Sequence, residues 1–224
     1  MIHYNYSPNQ LEQKAEELLR NFDEERLVKI KPLDVYAVIE KCLDVQYDWK
    51  YLTPDQSILG MTVFSDGCVL VWPEPYFEEG MKPTKAFFKA GTIVIDSTLT
   101  EREDRGPENF TVMHEAFHQV LHKRCFRHGN PDYAHVSTKD AITSRKKPMT
   151  SLQICEYQAN ACAAAFLMPR DLVANMVRQR IGNSQKLVLS DQRALGVIKG
   201  LAADFNVSLT AMKYRLLNLK LAVN

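Results

Sequence analysis

The 224-residue chain has almost no charge of either sign to spare. Its 28 Lys and Arg face 27 Asp and Glu, for a net charge of +1. That balance excludes bulk electrostatic attraction to nucleic acid or to an anionic membrane, so direct nucleic-acid binding is not expected. No apolar run approaches the roughly 20 residues that cross a bilayer. The five cysteines are odd in number and scattered, and no C-x-x-C pair occurs. A cysteine-built zinc site and a disulfide framework are therefore not expected, and reduced thiols are. Met1-Ile2-His3-Tyr4-Asn5 lacks a basic region followed by an apolar one, so no secretory leader is read and a cytoplasmic protein is expected. Neither an internal repeat nor a low-complexity segment is visible.

What is present is the composition of a globular protein, 46% hydrophobic. Residues 7–22 read as an amphipathic helix with Leu11, Ala15, Leu18 and Leu19 on its apolar stripe, and a second helix is expected from Pro32. Residues 45–49 could form a short strand. The apolar runs 58–64 and 68–72 flank Ser65-Asp66-Gly67, a hairpin signal. Residues 78–85 read as an irregular loop, and Thr92-Ile93-Val94-Ile95 as a β-branched strand. These elements predict a small antiparallel sheet. Residues 123–150 form a long polar stretch, longer than an ordinary connection. Helices are then expected over residues 151–166, from Leu172 through Val177, and over 192–204 and 208–219.

The chemistry concentrates in Thr111-Val112-Met113-His114-Glu115-Ala116-Phe117-His118-Gln119-Val120-Leu121-His122. His114 and His118 are four positions apart, about 400° of helix, so they share one face about 40° apart. Two such imidazoles can hold one zinc ion, and Glu115 projects beside it, where it can take a proton from water. This His-Glu-x-x-His spacing is the zinc-peptidase signature. Pro107 and Glu108 mark the helix start, and Phe110, Met113, Phe117, Val120 and Leu121 recur at helical spacing as its expected buried side.

A catalytic zinc has three protein ligands and one open position. His122 lies one turn further along the axis than two ligands sharing an ion comfortably allow, and the position six after His118 is Arg124. His128 and His135 sit in the polar stretch. The best candidate is Glu156, on a helix whose Ala159, Ala163 and Ala164 would permit close approach to the histidine helix. Asn160, one turn on, could bond a ligand histidine's second nitrogen. Tyr133, His128, His135 and Tyr157 are candidate oxyanion donors, among which the sequence does not choose.

With these residues in place, the chain resembles the ImmA/IrrE family of metallopeptidases. The matching features are Ile93-Val94-Ile95, His114-Glu115-x-x-His118, and Glu156-x-x-Ala159-Asn160 leading to Phe166-Leu167-Met168-Pro169. Leu201-Ala202-x-x-Phe205-x-Val207-Ser208 and Arg215-Leu216-x-x-Leu219 extend the match. The resemblance implies an α+β, zincin-like fold with zinc on His114, His118 and Glu156, and with Glu115 as the catalytic glutamate. It also implies intracellular endopeptidase cleavage of a helix-turn-helix repressor, in a mobile element or stress response. Ala116-Phe117 departs from the Leu-Gly common in the family, and the 123–150 stretch is long for it. The expected division is an N-terminal helix at 1–30, a peptidase domain at 31–185 and a C-terminal helical subdomain at 186–224. The competing readings are a zinc-containing binding module that does not cut, and a DNA-binding regulator using Lys213, Tyr214 and Arg215.

Overall fold

Seven α-helices and three small sheets make up the computed structural model, which describes residues 5–76, 78–126, 134–138, 149–182 and 186–224, with the backbone alone at 134–138. Helix α1, Pro8–Asp23, starts on a reciprocal cap: Gln10 N–H donates to the Ser7 hydroxyl, and Ser7 N–H donates to the Gln10 side chain. Its buried residues are Leu11, Ala15, Leu18 and Leu19, the stripe that the spacing predicts. Helix α2, Val35–Leu43, begins three residues after the expected Pro32, because the Asp34 carboxylate caps Tyr36 and Ala37 N–H.

The main sheet contains β1 (Tyr47–Lys50), β2 (Ile58–Val63), β5 (Ile93–Asp96) and β6 (Ala134–Thr138), in the order β1-β5-β2-β6. β5, β2 and β6 are antiparallel neighbours, as expected, and β1 joins parallel to β5. The Asp-Gly hairpin does not form. β2 spends both its edges on β5 and β6, so β3 (Gly67–Val71) pairs with β4 (Thr84–Phe88), an unexpected strand whose first two residues fall within the loop expected at 78–85. Asp66 instead accepts a hydrogen bond from Ala90 N–H at 2.7 Å, tying the end of β2 to the turn that precedes β5.

Helix α3, Gly106–Phe126, lies between that sheet and α4, Ser151–Leu167. It takes up the first residues of the expected polar stretch, and β6 takes five more. Met113, Phe117 and Leu121 are buried as expected, together with Val112 and Ala116, but Val120 is exposed. α3 is covered on so many sides that polar Glu108, Asn109 and Gln119 are buried too, which weakens its apolar periodicity. Glu108, in the first turn, accepts from the Tyr36 hydroxyl at 2.6 Å and pairs with Arg105 at 2.7 Å.

α5 (Arg170–Ile181), α6 (Gln192–Asp204) and α7 (Leu209–Asn218) follow, and β7 (Leu187–Val188) pairs parallel with β8 (Ala222–Val223). One apolar cluster takes in Leu11 and Leu19 of α1, Phe117 of α3, Phe166 of α4, Ile198 of α6 and Leu216 of α7. Among the described residues, no helix is long and apolar enough to cross a membrane.

Candidate metal and catalytic site

Two helices build the site. α3 presents His114 and His118 on one face, and α4 crosses it closely enough to deliver Glu156. The approach is possible because the side chains on the Glu156 side of α4 are small: Ala159 and Ala163, both without solvent exposure. The bulkier Phe117, where Gly is common in the family resembled, turns into the core, edge-on to Phe166 at 6.1 Å between ring centroids.

The three side chains converge. The Nε2 atoms of His114 and His118 are 2.9 Å apart. Glu156 reaches both, Oε2 to His114 Nε2 and Oε1 to His118 Nε2, each at 3.3 Å. Donors held at about 2.0–2.1 Å around a tetrahedral ion stand about 3.3 Å from one another, so this spacing fits one small cation. All three residues are buried, and among the described residues they form the one group of this kind whose ligand atoms all lie within 4.8 Å. Two imidazoles and a carboxylate suit a borderline-soft divalent ion. Burial pushes the His114 imidazolium down, but Glu156, Glu115 and Asn160 outweigh it and hold its pKa above the usual histidine value. The cluster therefore favours a positive charge.

Glu115, next to His114 on α3, reaches toward the sheet. It is fully buried, and the Thr62 hydroxyl on β2 donates to its Oε2 at 2.7 Å. β2 can come this close only because residue 60 is glycine. A Cβ there would sit 2.6 Å from Thr111 Cγ2 and 3.0 Å from Cγ and Oε1 of Glu115. Neither Thr62 nor Gly60 was picked out from the sequence. A glycine inside an apolar strand run is a signal of close backbone approach, whereas nothing in the pattern marks the threonine.

Asn160 Oδ1 lies 3.0 Å from His114 Nδ1. His122 stands on the far side of His118, with the two Nδ1 atoms 3.0 Å apart, and its Nε2 is 3.0 Å from Gln158 Oε1. Of the candidate oxyanion donors, Tyr157 is 47% exposed on α4. His135 lies in β6, where the backbone register sets it opposite Thr62. His128 and Tyr133 lie outside the described residues. Arg215, considered for DNA contact, is buried against Glu12 and the Met168 carbonyl.

The α+β fold and the buried His-His-Glu cluster define a protein of metallopeptidase type. The family model for the M78 peptidases, described as the IrrE N-terminal-like domain, matches residues 77–217, and the chain belongs to that family. The match bears out the ImmA/IrrE resemblance and covers α3, α4 and the C-terminal helices. A search of curated proteins returns no match.

Proposed function

We propose that the protein is a zinc-dependent endopeptidase in which His114, His118 and Glu156 hold the metal and Glu115 is the general base and acid. The observation that supports this most directly is the convergence of two Nε2 atoms and one carboxylate beside a second, separately anchored carboxylate. When bound, zinc supplies Lewis acidity and lowers the pKa of a water molecule toward about 7. Glu115 takes the proton from the attacking water and passes it to the leaving nitrogen. Thr62 holds that carboxylate at a fixed rotation through its 2.7 Å hydrogen bond. Asn160 accepts from His114 Nδ1–H, which leaves the Nε2 lone pair free for the cation.

His135 is our choice of oxyanion donor over His128, Tyr133 and Tyr157, on the register that puts it opposite Thr62. The substrate is an extended segment of a protein, and membership of the family favours a helix-turn-helix repressor supplied as another chain, in the cytoplasm. We assign residues 31–185 to the peptidase domain, 1–30 to an N-terminal helix and 186–224 to a C-terminal helical subdomain packed on the peptidase core. Burial of Arg215 against Glu12 counts against a DNA-binding role for α7.

The test is cleavage of a repressor panel and a peptide library by the zinc-loaded protein and its Glu115→Gln variant. The expected result is unchanged zinc content and a loss of about 10²–10⁴-fold in turnover. Undiminished turnover in the variant would overturn the role given to Glu115.

A further inference from the structure

His122 is fully buried, is not one of the three converging donors, and has a hydrogen-bonding role that the reaction above does not use. Its two ring nitrogens connect His118 to α4: Nδ1 lies 3.0 Å from His118 Nδ1, and Nε2 lies 3.0 Å from Gln158 Oε1. Gln158 is itself only 1% exposed.

From this geometry we infer that His122 and Gln158 form a neutral two-step relay that fixes the tautomer and orientation of His118, making both of them positioning residues for the metal. This rests on the reading of His118 as a ligand. Each N···N or N···O contact holds one hydrogen, so the hydrogens of the chain must all run one way. If His118 gives its Nε2 lone pair to a cation, its proton is on Nδ1 and is donated to His122 Nδ1. His122 then carries its own proton on Nε2 and donates it to the Gln158 carbonyl oxygen. The opposite direction would put a proton on His118 Nε2, where a cation must bind. The carbonyl orientation of a single buried amide therefore selects the metal-competent state.

Ligand histidines commonly rest on a carboxylate or a backbone carbonyl. Here His114 rests on the Asn160 amide, and His118 on the Gln158 amide through His122. Both supports are neutral and both come from α4, the helix that also supplies Glu156. The relay adds no negative charge to the site. It fixes the His118 ring without making it the stronger donor that a carboxylate partner would.

Chelator competition measures zinc affinity for the full-length wild type, His122→Phe, Gln158→Met and Gln158→Glu, alongside thermal melting of each metal-free protein. His122→Phe and Gln158→Met should each lose about 10–100-fold in zinc affinity. Gln158→Glu keeps the acceptor and adds the charge of a carboxylate, so it should bind zinc at least as tightly as wild type, a rescue that packing alone would not give. Proton–nitrogen correlation spectra of the zinc-loaded wild type should show His118 protonated on Nδ1 and His122 on Nε2. Wild type that takes up no zinc ends the metal reading and the relay together. Wild type that binds zinc, with His122 protonated on Nδ1 or with Gln158→Met unaffected, ends the relay alone. The Gln158 pair and the spectra decide the question even where His122→Phe does not fold.

Discussion

Glu115 owes its orientation to one hydroxyl and one missing methyl group. Thr62 donates to it at 2.7 Å, and Gly60 leaves the space in which its carboxylate turns. Thr62→Val conserves shape and removes the donor. A hydrogen bond to a charged group contributes about 1.5–3 kcal/mol, so turnover should fall about 10–100-fold while zinc content stays at the wild-type level. Steady-state kinetics on any cleaved substrate reads this, and an unchanged kcat/KM would remove Thr62 from the account. At the same scale, burial pushes the Cys155 and Cys162 thiols up to about 12, and Cys162 donates to the Leu11 carbonyl, while Cys68 is exposed. Iodoacetamide at about pH 8 should modify Cys68 in the native protein and reach Cys155 and Cys162 only after denaturation. Peptide mass mapping checks it; labelling of Cys155 as fast as Cys68 would contradict the burial.

Among the elements, α3 decides most, and it was the most legible. Its start, its His-Glu-x-x-His face and its apolar Met113, Phe117 and Leu121 could be read from spacing, because helical geometry puts fixed offsets on one face. Val120 was misread because a helix covered on several sides buries polar residues too, and the apolar stripe loses its edges. The sheet was less legible for a different reason. Asp66-Gly67 between two apolar runs is a local signal, but which strands pair is decided by β5 and β6, both distant in sequence from that turn. Thr62 and the His122–Gln158 contact were illegible for the same cause, since each joins segments that only the fold brings together. α3 has a second close neighbour at its start. A Cβ on Gly106 would lie 2.7 Å from both Ser208 N and Val207 C, backbone atoms that cannot swing aside. Gly106→Ala should therefore destabilise the protein by about 1–3 kcal/mol. Urea titration measures this, and a stability equal to wild type would show that the α6–α7 junction can move away from α3.

Across the whole molecule, the first and the last helix meet. Arg215 of α7 forms a two-pronged pair with Glu12 of α1, its Nη2 2.8 Å from Oε2, and its Nε donates to the Met168 carbonyl at 2.9 Å. The arginine is 3% exposed, so removing its partner leaves a charge out of water. Glu12→Gln should cost about 3 kcal/mol and lower Tm by about 6–12 °C. Melting within 1–2 °C of wild type would mean that the pair contributes little, as surface pairs do. Nothing local in the sequence marks this clamp; the tail is legible as two helices that close the peptidase core and as family resemblance, but the ion pair that ties Arg215 to Glu12 is not, because the two residues are brought together only by the fold.

The central claim is that His114, His118 and Glu156 together hold one zinc ion. Plasma mass spectrometry of the purified wild type beside Glu156→Ala tests it most directly. The account predicts close to one zinc per chain in the wild type and its loss in the variant. No zinc in the wild type after reconstitution, or full zinc in the variant, would contradict it.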